Sequence, residues 1–130
     1  MVARSLNNEQ IDGGEELLKR LDDAGVLVDA ALWFYFPDSE RWKLLLSLPT
    51  LIKKGPKVAY REVQKALRSS DKAPAISVSL DNVAIARENS PLLSAFKRAI
   101  KTGPGISRIG FSNNVIDGQL ITDALIYRLN

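Results

Sequence analysis

The chain has 130 residues, of which 45% are apolar and 25% charged, with a formal net charge of +3. That balance fits one globular domain able to bury a core without crosslinks, and it does not fit a disordered chain. There is no cysteine and no histidine, which excludes disulfides, thiolate metal sites and thiol nucleophiles, and removes the commonest metal ligand and general base at neutral pH.

The charge is unevenly spread. Residues 1–40 set Arg4, Lys19 and Arg20 against nine acids, a net of −6. Residues 41–72 set nine bases against Glu62 and Asp71, a net of +7. The middle block is therefore the electrostatic handle of the molecule. No apolar run reaches the roughly 20 residues of a membrane span. Met1 to Glu9 lacks the apolar core of a signal peptide, so the expected location is cytoplasmic.

Met1 to Leu6 reads as a loose tail. Asn7 or Asn8 can cap a first helix, with Glu9 in its first turn where the helix dipole favours an anion. Ile11, Leu17, Leu18 and Leu21 recur at helical spacing, and Glu15–Lys19 and Glu16–Arg20 form i,i+4 pairs. Gly13-Gly14 disfavours the first turns, so the helix is expected to begin near Glu15 and to end at Gly25. Val28 to Leu48 is the densest apolar stretch and reads as a hairpin turning at Pro37-Asp38-Ser39-Glu40. In its first strand Leu32, Phe34 and Phe36 face one way and Ala31, Trp33 and Tyr35 the other, the pattern of a strand covered on both sides. The return strand puts Trp42, Leu44, Leu46 and Leu48 on one face and Arg41, Lys43, Leu45 and Ser47 on the other.

Pro49 to Gly55 reads as a connection. Pro56 suits the first position of a second helix reaching Ser69 or Ser70. Its apolar arc is Ala59, Tyr60, Val63, Ala66 and Leu67. Lys57, Arg61, Lys65, Arg68 and Lys72 fall within about 80° on the opposite side. Ala75 to Leu80 alternates as a strand, Asp81-Asn82 is a turn, and Val83 to Arg87 is a further short strand candidate. Ser90-Pro91 starts a third helix. Its buried face is Leu92, Leu93, Phe96, Ala99 and Ile100, and Lys97, Arg98 and Lys101 face away. Gly103-Pro104-Gly105 ends it. Ser107 to Ser112 and Leu120 to Leu129 read as strands, with Asp117-Gly118 as a turn between them. The expected fold is α+β: a mostly antiparallel sheet of five or six strands in one domain. Its three helices lie largely on one face, in the order αββαβ(β)αββ.

Two stretches resemble a group of small bacterial proteins of unassigned activity. They are Ala30-Ala31-Leu32-Trp33-Phe34-Tyr35 with Trp42-Lys43-Leu44, and Asp123-Ala124-Leu125-Ile126-Tyr127-Arg128. The resemblance covers most of the chain and implies no catalytic residue and no ligand. A helix followed by an apolar hairpin with an acidic turn is also similar to the opening of GAF and PAS sensor domains. That likeness is architectural; it implies a sensing module, with Trp33 and Tyr35 as candidate pocket lining.

The residues offer little catalytic equipment. Pro37-Asp38 with Glu40 and Lys43 is similar to the acid–lysine pattern of PD…(D/E)-x-K nucleases, but Glu40 and Lys43 are three apart and face opposite ways on a strand. Gly103-Pro104-Gly105 follows a helix, whereas phosphate loops precede one. Lys54-Gly55 before the second helix has the right order, but Pro56 removes an amide. A serine such as Ser77 or Ser79 has no histidine to activate it. No catalytic, cofactor-binding or metal-binding residue and no cofactor is assigned. The candidate contacts for an anion or a partner are Lys54, Lys57, Arg61, Lys65 and Arg68. Three functions remain open: a non-enzymatic interaction or regulatory module that self-associates as a homodimer or binds another protein, a nucleic-acid binder using the basic stripe, and the sensing module.

Overall fold

The computed structural model describes residues 5–68, 76–87, 89–116 and 118–130. Its elements in chain order are α1 (Asn8–Asp23), β1 (Ala30–Phe36), β2 (Arg41–Ser47), α2 (Pro49–Ile52), α3 (Pro56–Leu67), β3 (Val83–Ile85), α4 (Pro91–Ala99), β4 (Ile109–Ile116) and β5 (Gln119–Leu129). The class is α+β, and the strands form one open five-stranded sheet in the order β3-β2-β1-β5-β4. Every pairing is antiparallel except β2 with β3.

The α1 helix starts earlier than the sequence suggests. Asn7 caps it with a reciprocal bond to Gln10, and the helix runs straight through Gly13 and Gly14, both buried. Propensity loses here to tertiary packing. A Cβ on Gly14 would lie 2.5 Å from the Tyr127 hydroxyl and 2.8 Å from Trp33 Nε1. Only glycine lets α1 approach the sheet so closely. At the other end Gly25 takes φ 77, with Val26 N–H on Leu21 O and Gly25 N–H on Asp22 O. That is a Schellman motif, which satisfies the last carbonyls.

β1 is the centre of the molecule, paired with β2 through a four-residue turn and with β5 on its other side. The two-faced apolar pattern is realised. Ala31, Trp33, Leu44, Leu46, Leu48 and Val83 pack beneath α1 and α3. Ala30, Leu32, Phe34, Leu45, Ala124 and Ile126 pack beneath α4. Two of the three long helices thus share one face, and α4 covers the other alone.

Several boundaries differ from expectation. The Pro49–Gly55 connection contains the short helix α2, begun by Pro49 just as Pro56 and Pro91 begin α3 and α4. The expected strand at Ala75–Leu80 does not form over its described residues. Ile76 and Val78 instead lie against Gly13 of α1, Leu80–Asn82 is a 3-10 turn, and Val83–Ile85 supplies the partner of β2. α4 ends at Ala99, before the glycines at 103 and 105. Ser69, Ser70, Lys72, Ala75, Asp117 and the first four residues of the expected tail lie outside the described residues.

Candidate functional site

Two irregularities in β5 and β4 decide where the polar side chains go. The β1–β5 register shifts between Ala31 and Leu32, which makes Tyr127 an extra residue opposite β1. Such a bulge lets two consecutive side chains serve one face. Tyr127 and Arg128 both reach α1. Trp33 Nε1 donates to the Tyr127 hydroxyl at 2.9 Å, and that hydroxyl donates to Ile11 O. Burial pushes the Tyr127 phenol well above its ordinary pKa, opposed by the Trp33 hydrogen bond. Arg128 holds the Asp22 carboxylate with Nη1 at 3.0 Å and Nη2 at 2.8 Å, and also donates to Val28 O and Gly105 O. Every member of this network is engaged inside the chain, and its role is to seat α1.

Trp33 belongs to that network and is fully buried. Tyr35, also buried, stacks edge-on against Trp42 at 5.5 Å between ring centroids. Both therefore sit in packed interior.

The basic residues lie where the helical wheel puts them. Lys54, Lys57, Arg61, Lys65 and Arg68 are all exposed, while Ala59 and Val63 opposite them are buried. Lys65 pairs with Glu62 of its own helix at 3.2 Å. Among the described residues the side chains of the other four have no hydrogen-bonding or ion-pair partner.

A cleft of about 510 Å³ opens between α2 and the start of α4. Lys53, Arg87, Ser90, Ser94, Lys97 and Asp29 contribute its polar lining. Lys97 was expected to face away from the protein; instead its ammonium donates to Asp29 Oδ2. The second oxygen, Oδ1, is buried and accepts no hydrogen bond among the described residues. Lys53 and Arg87 are exposed, and their side chains have no partner among the described residues. No local motif announces this site, since its residues come from four separate segments. Among the described residues no group of three acidic side chains is placed to hold a metal ion.

The two edges of the sheet are handled differently. β3 has three residues, and the Tyr60 hydroxyl accepts the N–H of Ile85 beside it at 3.2 Å. β4 has eight, Ile-Gly-Phe-Ser-Asn-Asn-Val-Ile, without a charge or a proline. Six of the eight are exposed. Asn113 adopts φ 47, a conformation asparagine tolerates better than most residues. There the alternation of faces is re-phased: Phe111 and Ile116, five apart, both pack on the α4 side, as do Ile121 and Ala124 of β5. Beyond that point the hairpin presents Val115, 61% exposed, directly across from Leu120, 67% exposed.

No family model matches the chain, and neither does any curated protein or solved structure. Among the described residues no helix is long and apolar enough to cross a membrane.

Proposed function

We propose that this protein is a non-enzymatic interaction module that self-associates through the free edge of β4. The carrying observation is that edge: eight residues long, uncharged, free of proline, and carrying exposed Val115 beside the exposed Leu120 of β5. Native proteins normally blunt a long edge with charges, prolines or a covering element, because its unpaired N–H and C=O groups template another strand. The opposite edge of this sheet is blunted in that way. A second copy is the occupant the chemistry favours. An antiparallel β4–β4 pairing about a two-fold axis sets no like charges opposite one another within the strand, and it buries each Val115–Leu120 pair against a neighbour.

Analytical ultracentrifugation tests the reading. The wild type is expected to sediment as a dimer at micromolar concentration. The variant Val115→Lys with Leu120→Lys is expected to be a folded monomer with an unchanged circular dichroism spectrum. A wild type that stays monomeric into the high micromolar range overturns it.

A second reading, nucleic-acid binding, is favoured by the exposed cations Lys54, Lys57, Arg61 and Arg68, whose side chains have no partner among the described residues. Phosphate contacts of this kind release counterions, so affinity falls steeply with salt. Fluorescence anisotropy with a labelled duplex and a labelled single strand, at two salt concentrations, compares the wild type with Lys57→Glu/Arg61→Glu/Lys65→Glu. Absence of binding at low salt removes this reading.

A further inference from the structure

We propose that the cleft between α2 and α4 binds a small organic phosphomonoester. Its size lies within the roughly 300–1,000 Å³ of small-molecule sites, at about 510 Å³. Its charge is the stronger argument. Of the four charged residues that line it among the described residues, Asp29 and Lys97 neutralise each other. The side chains of Lys53, from the end of α2, and Arg87, just after β3, have no partner among the described residues. Two cations on two separate segments line one concavity, and their summed charge matches a phosphate dianion. The Arg87 guanidinium can meet two phosphate oxygens at once, and Lys53 supplies a point charge.

Hydroxyl donors complete the polar half. Ser90 Oγ accepts the Leu93 N–H at 3.4 Å, which leaves its own O–H to donate outward; Ser94 lies one helical turn further on. The amides of α4 add little, because Pro91 has none and that of Leu93 is taken by Ser90. The selection of a phosphate therefore rests on side chains. Pro49, Ile52 and Leu93 form an apolar wall beside these groups. That wall is of no use to a bare anion, but it accommodates the carbon skeleton of an organic phosphate. The cleft shares no residue with β4, so this inference stands apart from self-association.

Titrations followed by amide 1H–15N spectra test the assignment, with inorganic phosphate, ribose 5-phosphate and ribose as probes. Ribose 5-phosphate is expected to give saturable shifts at Arg87, Ser90 and Ser94, at least about tenfold tighter than inorganic phosphate. Ribose alone is expected to give none. Lys53→Ala with Arg87→Ala, both exposed positions that leave the fold intact, is expected to weaken ribose 5-phosphate about tenfold or more. Lys57→Ala with Arg61→Ala is expected to leave it unchanged. Shifts that never saturate, or that centre on α3 and vanish with the α3 variant, overturn the proposal. Equal affinity for phosphate and ribose 5-phosphate overturns the organic part of it.

Discussion

The two faces of the sheet are built on different principles. The α1/α3 face is specified by hydrogen bonds and by a close helix approach. Trp33, Tyr127 and Ile11 form a buried relay, Arg128 grips Asp22, and Gly14 leaves room for both rings. The α4 face is filled by aromatic packing. Phe96 meets Phe34 at 6.1 Å and Phe111 at 6.0 Å, and Phe34 meets Phe36 at 4.8 Å, all edge-on. A hydrogen-bonded face punishes the loss of a single atom, whereas a face of phenylalanines responds to lost volume. The contrast makes one side of this small domain a lock and the other a fill.

The largest expected effect tests the fill. Phe96→Ala removes the ring on which the α4 face converges and should destabilise the fold by about 3–5 kcal/mol in urea unfolding. The near volume-conserving Phe111→Leu should stay under about 1.5 kcal/mol. The lock is tested by a pair of neighbours. Gly14→Ala forces its methyl group onto the Tyr127 hydroxyl and Trp33 Nε1, and should cost about 1–3 kcal/mol. Gly13→Ala meets the γ2 methyl groups of Ile76 and Val78 at 2.8 and 2.9 Å, with Ser77 N at an ordinary 3.5 Å. Those methyls are stiff, but they sit on a segment outside any helix or strand that can shift as a whole, and the gain in helix propensity of about 1 kcal/mol offsets part of the crowding. Equal losses at both glycines would break the comparison.

Tyr127→Phe deletes one oxygen and leaves the Trp33 N–H buried without its acceptor, at about 1–3 kcal/mol. The same hydroxyl gives the fold a pH signature. Because burial raises its pKa in the folded state, its contribution is complete below the ordinary tyrosine value of about 10 and is lost as pH rises beyond it. Alkaline unfolding should therefore shift upward in Tyr127→Phe relative to that variant's own stability at neutral pH. The smallest effect is at the rim of the same face. The Arg108 guanidinium, bonded to Glu15 at 2.8 Å, holds that carboxyl below its usual range. This contribution is present above the ordinary glutamate pKa of about 4.3 and is lost as pH falls through the lowered value. Glu15→Gln should remove less than about 1 kcal/mol at neutral pH and flatten the acid limb.

Periodicity made the β1–β2 hairpin and its faces legible, because Trp33, Leu44 and Leu46 alternate strictly with Leu32, Phe34 and Leu45. Proline positions gave the starts of α3 and α4, and the same signal at Pro49 marks α2. What could not be read depends on distant contacts. Gly14 looks like a helix breaker until Tyr127 is set against it, and Tyr127 and Arg128 share a face only because of the bulge. The basic stripe was legible as a helix face. The cleft was not, since Asp29 and Lys97 meet across 68 positions of sequence, and no spacing links Lys53 with Arg87.

The position of β5 has a consequence for how this fold is reached. β5, which follows the other four strands in the chain, fills the slot between β1 and β4, and its Tyr127 bonds to Ile11 of α1, 116 positions upstream. During synthesis the β1–β2 hairpin can form early, but one side of β1 stays unpaired and both of its apolar faces stay incompletely covered until β5 has left the ribosome. The nascent chain therefore carries the apolar β1 segment with an unpaired edge until some ninety further residues have been made, a state open to association with other chains. Closure is one late, long-range event, so folding should be slow for a domain of this size and completed all at once.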